Sequence, residues 1–455
     1  MSKARSTTPP IEVNADARHP LGMLPARFLR DYWQKRPLLI RGAFPGFQPP
    51  LSPDDLAGLA CMDGVLARIV TRMDTSGSSR TSRNGGPGSR DLGKAKALDY
   101  SPRQRLALRA VGSVDVRSGI LPARSPFRGN DGNWRVASGP FDDATFAQLP
   151  ETNWTLLVQD VDKWDADTAS LLDAFAFVPS WRIDDVMVSY ASDGGGVGAH
   201  VDQYDVFLLQ GLGQRHWSID TRPNPSTAFR DDVELKLLRE FHPTREWTLE
   251  PGDMLYLPPG VPHDGAAVGE CMTFSVGMRA PAASELLLDF SENLAATLPE
   301  SQRYADPDLA PATAAGEIDA AALERARRAL GPIAAMLDND AFADWFGCFI
   351  TRYRSAQAPM PRRRPIDRAA LARRLSQSTF RRDPWCRFAW RRTGRDARFY
   401  SAGMVLDAPI AWARTMASGA RTFDGANLAE LPHPTRGIAL LSELINAGHV
   451  TYRRR

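Results

Sequence analysis

A chain of 455 residues is too long for one hydrophobic core, and at roughly 150 residues per domain it is expected to hold about three. Apolar residues at 43% and charged residues at 24% are ordinary for a globular protein and exclude a fibrous one. The net charge of +3 is small but unevenly spread along the chain.

The opening residues, "MSKARSTTPPIEVNADARHP", are polar and proline-bearing with no apolar run. Residues 1–20 are therefore expected to form a flexible tail that is neither signal peptide nor membrane anchor, which implies a cytoplasmic protein. Phe28, Leu29, Tyr32 and Trp33 recur at helical intervals in "LPARFLRDYWQK", and "RPLLIRGAF" reads as the strand that this helix feeds. From Asp74 to about Gly132 the chain changes: "DTSGSSRTSRNGGPGSR" holds almost no apolar residue and cannot offset its ordering entropy. About 74–132 is expected to be a disordered insertion, with "LALRAV" and "GILPA" too short to place. Order is expected to resume near "NWRVASGPF".

From there to Pro281, "WTLLVQDV", "DDVMVSYA", "VFLLQGLGQRHWSI", "EWTLEPGDMLYLPPG" and "MTFSVGMRA" are β-rich runs separated by Gly and Pro turns, with one helix, "DADTASLLDAFAF", among them. That pattern fits a double-stranded β-helix, or jelly roll. Residues 284 to 356 switch to a helical period, with Leu286, Phe290 and Leu294 four apart and Phe342, Phe346 and Phe349 four and three apart. From about 362 short helices and strands mix, and "RGIALLSELINAGHVTYRRR" reads as a helix stopped by Gly448 and followed by a strand. The expected fold class is mainly β with α: a jelly-roll domain over 21–283, a helical segment over 284–360 and a small winged-helix-like α+β domain over 361–455. Thirteen arginines between Arg362 and Arg398 are opposed only by Asp367, Asp383 and Asp396. Such a stretch can neutralise phosphates on a ribosome or nucleic acid, or it can be a solvated surface. Cys61, Cys271, Cys348 and Cys386 form no CxxC pair, so neither a structural zinc cluster nor a disulfide framework is indicated.

The segment "GGGVGAHVDQYDVF" carries chemistry, because it sets His200 and Asp202 two positions apart. Read as a strand, it turns His200, Asp202 and Tyr204 to one face, and Val206 and Leu208 continue that parity into an apolar interior. Buried polar groups need partners, and a divalent metal is one. A second histidine, His263, follows a strand and a tight turn in "PGDMLYLPPGVPHDG". Two histidines and one carboxylate fill one face of an octahedron and leave three positions open, the ligand set of non-haem Fe(II) oxygenases. Either segment alone fits a chance pairing or a hydrogen-bonded histidine; the two together in one jelly roll point to metal.

The segments "GGGVGAHVD" and "GDMLYLPPGVPH" resemble the two cupin motifs, with Asp202 where a small-molecule cupin usually has a second histidine. The HxD…H arrangement resembles the JmjC-type 2-oxoglutarate oxygenases. "FLRDYWQKRPLLIRGAF", "NWTLLVQDVDKW", "WRIDDVMVSY", "HVDQYDVFLLQGLGQRHW" and "FSVGMRAP" are similar to the bacterial ribosomal oxygenases, which hydroxylate an arginine of a large-subunit ribosomal protein, the sixteenth. The resemblance covers most of the chain and implies a JmjC barrel, a helical dimerisation segment giving a homodimer, and a winged-helix-like terminal domain. It implies that His200, Asp202 and His263 hold Fe(II), with 2-oxoglutarate and O2 as co-substrates. Arg215 in "GLGQRHW" is expected to bind the far carboxylate of 2-oxoglutarate, with Ser189 as its hydroxyl partner. Asp185, Met187 and Ser189 share one parity in "DDVMVSY". Asp185 and Met187, with Tyr204, would suit a guanidinium substrate through a charge-assisted bond and a cation–π contact. The plainer alternative is an ion pair from Asp185 to Arg182, with Met187 as core filler.

Two features depart from the family: the Ser/Gly/Arg insertion, and a terminal domain so rich in arginine that contact with ribosomal RNA stays open. His216 and Trp217 are read as strand packing, and His242, His433 and His449 have no partner spacing. Trp345 and its phenylalanine neighbours read as a helix-packing or dimer seam. Two other functions stand beside arginine hydroxylation: the same oxygenase chemistry on a histidine, a methylated lysine or a small molecule, and a ribosome- or nucleic-acid-binding protein with a vestigial barrel. The intact triad and Arg215 speak against the last.

Overall fold

The computed structural model describes residues 9–16, 18–73, 128–131, 134–233, 235–301, 303–309, 318–331, 340–353 and 356–454. The chain divides into two units, Met1–Ala280 and Pro281–Arg455.

The first unit is built on one eleven-stranded sheet. Its strands are β1 (Glu12–Asn14), β2 (Leu38–Arg41), β3 (Ala67–Arg72), β4 (Arg128–Asp131), β5 (Trp134–Ser138), β6 (Trp154–Val158), β7 (Ile183–Ala191), β8 (Val206–Ile219), β9 (Arg245–Leu249), β10 (Met254–Leu257) and β11 (His263–Met278). They lie in the order β1-β2-β10-β8-β11-β7-β6-β3-β5-β4, with β9 also paired to β8. The long strands β8 and β11 pair along most of their length, which gives the cupin-type jelly roll its spine.

Alternation assigns the faces. In β7, Val186 and Val188 are fully buried with Phe207, Leu209, Phe274 and Val276, whereas Asp185, Met187 and Ser189 belong to the opposite parity. In β10, Met254 and Tyr256 join that large cluster, while Leu255 and Leu257 join a second one with Val206, Leu208, Trp217, Ile219 and Leu249. Helix Pro25–Asp31 seals the large cluster by setting Phe28 against Tyr256, with ring centroids 4.9 Å apart.

In β8, Val206 and Leu208 are even positions and Trp217 and Ile219 odd ones, yet all four share the second cluster. A register shift against β11 between Val268 and Met272 makes this exchange. Gly213 sits at that irregularity with φ 59°, and a Cβ there would lie 2.0 Å from the Glu270 carbonyl oxygen, so only glycine fits. The shift puts Arg215 on the same side as Trp217.

Three expectations need correction. Residues 201–205 belong to no strand: β8 begins at Val206, and His200 contributes only an isolated bridge to His263. The parity argument for His200, Asp202 and Tyr204 therefore does not hold, because the backbone there bonds across to residues 260 and 263 instead of running a ladder. The helix expected over "DADTASLLDAFAF" is a short α-helix, Ala166–Ser170, that tightens into a 3-10 turn at Leu171–Phe175. Most of the insertion expected at about 74–132, with its two apolar pieces, lies outside the described residues. Its last part, β4, pairs with β5 through Arg128↔Val136 and Asp131↔Trp134, an arrangement held by backbone groups that a hydrophobic pattern cannot signal.

In the second unit, helices Ala283–Thr297, Ala320–Leu330 and Asp340–Arg352 precede a mixed module. Trp345 is buried against Phe290 and Phe349, and its indole N–H donates to Asp289 at 2.8 Å, which places it in a helix-packing seam. The module contains β12 (Ser378–Arg382), β13 (Phe388–Thr393), β14 (Asp396–Ser401), β15 (Met404–Ala408), β16 (Thr422–Asp424) and β17 (Val450–Arg454). These form two three-stranded sheets, β16-β12-β17 and β13-β14-β15. Helix Pro434–Asn446 buries Leu440, Leu441, Leu444 and Ile445 in a core shared with Trp412 and Phe399. Gly448, at φ 82°, ends it before β17, which completes the winged-helix-type α+β arrangement. Among the described residues no helix is long and apolar enough to cross a membrane.

Candidate metal centre and co-substrate pocket

His200 and His263 meet because their backbones exchange two hydrogen bonds, each 3.0 Å long. Asp202 enters from the loop that follows His200: the Gly260 N–H donates to its carbonyl at 2.8 Å, and its Oδ2 lies 3.7 Å from His263 Nε2. One ligand atom of each of the three side chains lies within 4.8 Å of the others. Both imidazoles are held through Nδ1, His200 to the Gly198 carbonyl at 2.8 Å and His263 to the Val261 carbonyl at 2.9 Å. A carbonyl only accepts, so each Nδ1 carries the proton and each Nε2 keeps its lone pair for the shared space.

The electrostatics agree with that assignment. Burial, and then the neighbouring His200, hold His263 well below the usual imidazole range, so it is neutral and able to ligate. Burial pushes the Asp202 carboxyl up, against the opposing pull of His200 and of a hydrogen bond from Tyr204. A divalent cation would supply the charge this carboxylate lacks. Two imidazoles, each held through Nδ1, and one carboxylate fit a ferrous ion with open positions.

On β8, four positions from Ile219, which pairs with His263, lies Arg215, 3% exposed. Its guanidinium rests over the Trp217 ring at 5.0 Å. One terminal nitrogen donates to the Gly265 carbonyl at 2.9 Å and the other lies 3.5 Å from Ser189 Oγ. Its Nε has no partner, and no carboxylate pairs with the side chain among the described residues. A buried guanidinium left without an anion is costly, so the donor set fits a carboxylate ligand. Gly265 makes the room: a Cβ there would lie 2.7 Å from both Arg215 Nε and the Trp217 ring.

Asp185 and Met187 share their β7 face with Ser189. Asp185 Oδ2 accepts the Asp160 backbone N–H at 3.0 Å, and Gln159 Nε2 lies 3.3 Å from Met187 Sδ. Burial first, then the carboxylates of Asp184, Asp160 and Asp162, push Asp185 up to about 7. The alternative ion pair to Arg182 is not formed, because Arg182 turns to Asp205 at 3.4 Å. Tyr204 lies in the loop, partly exposed, bonded to Asp202 and within the electrostatic reach of Asp185.

Sequence reasoning did not single out Gly265, Gln159, Asp160 or Asp205. Gly265 was findable, since it lies two residues beyond His263 on the strand that faces Arg215. Asp160 and Asp205 act through partners remote in sequence, for which no local signal exists. His216 contacts Thr248 on β9, and His449 is buried against Ser401 at 2.7 Å, both far from ligand geometry.

The JmjC domain model matches residues 170–286, a ROXA-like winged helix matches 334–451, and an AraC-like ligand binding domain matches 242–363. The chain is 30% identical over 432 residues to the ribosomal protein uL16 3-hydroxylase of Escherichia coli (strain K12), covering 93% of this chain and 96% of that one. It is 31% identical over 291 residues to a probable ribosomal oxygenase of Haemophilus influenzae, covering 64% of this chain and 56% of the other. Among solved structures, the X-ray structure of E. coli YcfD superposes with a TM-score of 0.71 at 30% identity, covering 95% of this chain and 98% of that one. YcfD, described as a ribosomal oxygenase, in complex with cobalt and 2-oxoglutarate gives 0.68 at 29% identity with the same coverage.

Proposed function

The chain belongs to the family of JmjC-domain ribosomal oxygenases, and from that premise we propose that it is an Fe(II)- and 2-oxoglutarate-dependent hydroxylase of the large-subunit ribosomal protein uL16, acting on an arginine side chain. The observation that carries this reading is the convergence of His200, Asp202 and His263 beside a buried arginine that has no carboxylate partner among the described residues.

The chemistry supplied by the iron with 2-oxoglutarate and dioxygen is hydroxylation of an unactivated C–H bond, balanced by decarboxylation of 2-oxoglutarate to succinate and carbon dioxide. The protein supplies placement. His200 and His263 present Nε2 because their Nδ1 protons are occupied, and Asp202 adds the one anionic ligand. Arg215 holds the far carboxylate of the co-substrate, with Ser189 Oγ as the second donor. Asp185, oriented by the Asp160 N–H, receives the substrate guanidinium, while Met187 and Tyr204 flank its alkyl part. Of the carboxylates at this wall, Asp162 is paired with Lys163 and Asp184 with Arg279, so Asp185 is the one that favours a cationic side chain.

The remaining assignments belong to the same proposal. Residues 21–283 are the catalytic domain, 284–360 a homodimerisation segment and 361–455 the winged-helix-like domain. Leu287 and Leu288, 64% and 67% exposed on helix Ala283–Thr297, support the dimer. Arginines of the last domain support contact with ribosomal RNA, and the ribosomal substrate supports a cytoplasmic location.

Mass spectrometry of ribosomal proteins from cells with and without this gene tests the proposal. The expected result is a gain of one oxygen atom on a single arginine peptide of uL16, present only with the gene. Identical uL16 peptides in both cells would overturn it.

A further inference from the structure

The loop 201–205 carries Asp202 and Tyr204, yet no strand ladder fixes it. The Gly260 N–H holds the Asp202 carbonyl near the start of the loop, and a second anchor at its far end is needed to set Asp202 to within the tolerance of a metal site. At the far end of the loop stands Asp205, whose carboxylate is fully buried. It accepts from three side chains of three separate parts of the unit: Tyr256 Oη at 2.6 Å, Gln34 Nε2 at 3.0 Å and Arg182 Nη2 at 3.4 Å. Its backbone is tied as well, through the Met278 N–H to its carbonyl at 2.9 Å.

The three donors are themselves held. Tyr256 Oη accepts the Gln34 backbone N–H at 2.8 Å, and its ring stacks on Trp33 at 6.0 Å and 14°. The Arg182 guanidinium lies over the same Trp33 ring at 5.6 Å. Gln34 holds φ 55°, a left-handed backbone that side-chain-bearing residues rarely adopt, and in that conformation its backbone N–H reaches Tyr256 and its side-chain amide reaches Asp205. A buried carboxylate is a poor device for stability alone, since apolar packing costs less desolvation. A fully bonded polar network is a good device for a unique geometry.

We propose that Asp205 is a positioning residue of the metal centre: gripped by Tyr256, Gln34 and Arg182, it pins the loop so that Asp202 meets the two imidazoles. This rests on the reading that His200, Asp202 and His263 hold the metal. The test uses the full chain, Co(II) as probe, calorimetry for affinity and the visible Co(II) absorption for the ligand set, with thermal midpoints of the metal-free proteins alongside.

Asp205→Asn is expected to weaken Co(II) binding at least tenfold and to alter its absorption. Gln34→Gly keeps the left-handed backbone and removes one donor to the buried Asp205 carboxylate, with relief of the backbone strain offsetting part of that loss, so it is expected to lower the metal-free midpoint only slightly while weakening Co(II) binding by about three- to tenfold. Wild-type affinity and spectrum in Gln34→Gly and in a folded Asp205→Asn would overturn the proposal, as would Co(II) binding weakened only in proportion to a lowered midpoint. Asp202→Ala separates the two readings. If it loses Co(II) while the Asp205 and Gln34 variants do not, only the positioning role fails; if it binds Co(II) like wild type, the three-ligand reading fails and the positioning role with it.

Discussion

Arg215 is buried, keeps an unbonded Nε and has no carboxylate partner among the described residues, which suits the carboxylate ligand proposed for it. Arg215→Met should raise the KM for 2-oxoglutarate by about 2 kcal/mol or more, roughly thirtyfold, with metal affinity much less affected. Steady-state kinetics against metal titration checks the split. Asp185 gives a second prediction. Its carboxyl, pushed up to about 7 by burial and by three neighbouring carboxylates, is largely protonated below that pH and ionised above it. A guanidinium binds the ionised form, so the KM for an arginine peptide should fall as pH rises from 6 toward 8 and then level. In Asp185→Asn that dependence should vanish and the KM should stay high. A KM that is flat with pH in the wild type would contradict the assignment.

Elements with period-two patterning were legible, and those built on exceptions were not. Strand β7 alternates Val186 and Val188 with Asp185, Met187 and Ser189, and the sequence alone assigns both faces. Strand β8 reads as one strand, but the shift at Gly213 that carries Arg215 to the side of Trp217 leaves no mark except a glycine. The stretch 200–204 read as strand because His200, Asp202 and Tyr204 share the parity of Val206 and Leu208; its backbone bonds instead to Gly260 and His263, partners no local pattern names. The candidate ligand residues that the structure brings together were legible through motif and resemblance, whereas Gln34 and Asp160, proposed as supports of the site, are left-handed residues whose placement exists only in three dimensions. In the second unit a glycine again decides packing: a Cβ on Gly437 would lie 1.8 Å from the Trp412 indole. Gly437→Ala should therefore overpack the core and cost about 1–3 kcal/mol, or more where the indole cannot shift, read as a lowered denaturation midpoint.

Across the whole molecule, charge is segregated. Residues 361–455 hold nineteen arginines, no lysine and seven carboxylates, in a chain whose net charge is only +3, so the rest is net acidic. The cationic substrate proposed above would suit the acidic part, and added salt should then weaken its association. Metal links to global stability as well. Iron that binds only the folded state at a hundred times its Kd should stabilise the chain by about 2.7 kcal/mol, and chelation should remove that gain. His200→Ala should show no such response, as a thermal scan with and without metal would reveal.

In the proposed centre, His200, Asp202 and His263 would share one ferrous ion next to the Arg215 pocket. Anaerobic addition of Fe(II) and 2-oxoglutarate to the full chain, followed in the visible spectrum, tests that most directly. A metal-to-ligand charge-transfer band should develop with the wild type and with Asp185→Asn, and be lost in His200→Ala, Asp202→Ala and His263→Ala. No band in the wild type, or an undiminished band in any of the three ligand variants, would contradict it.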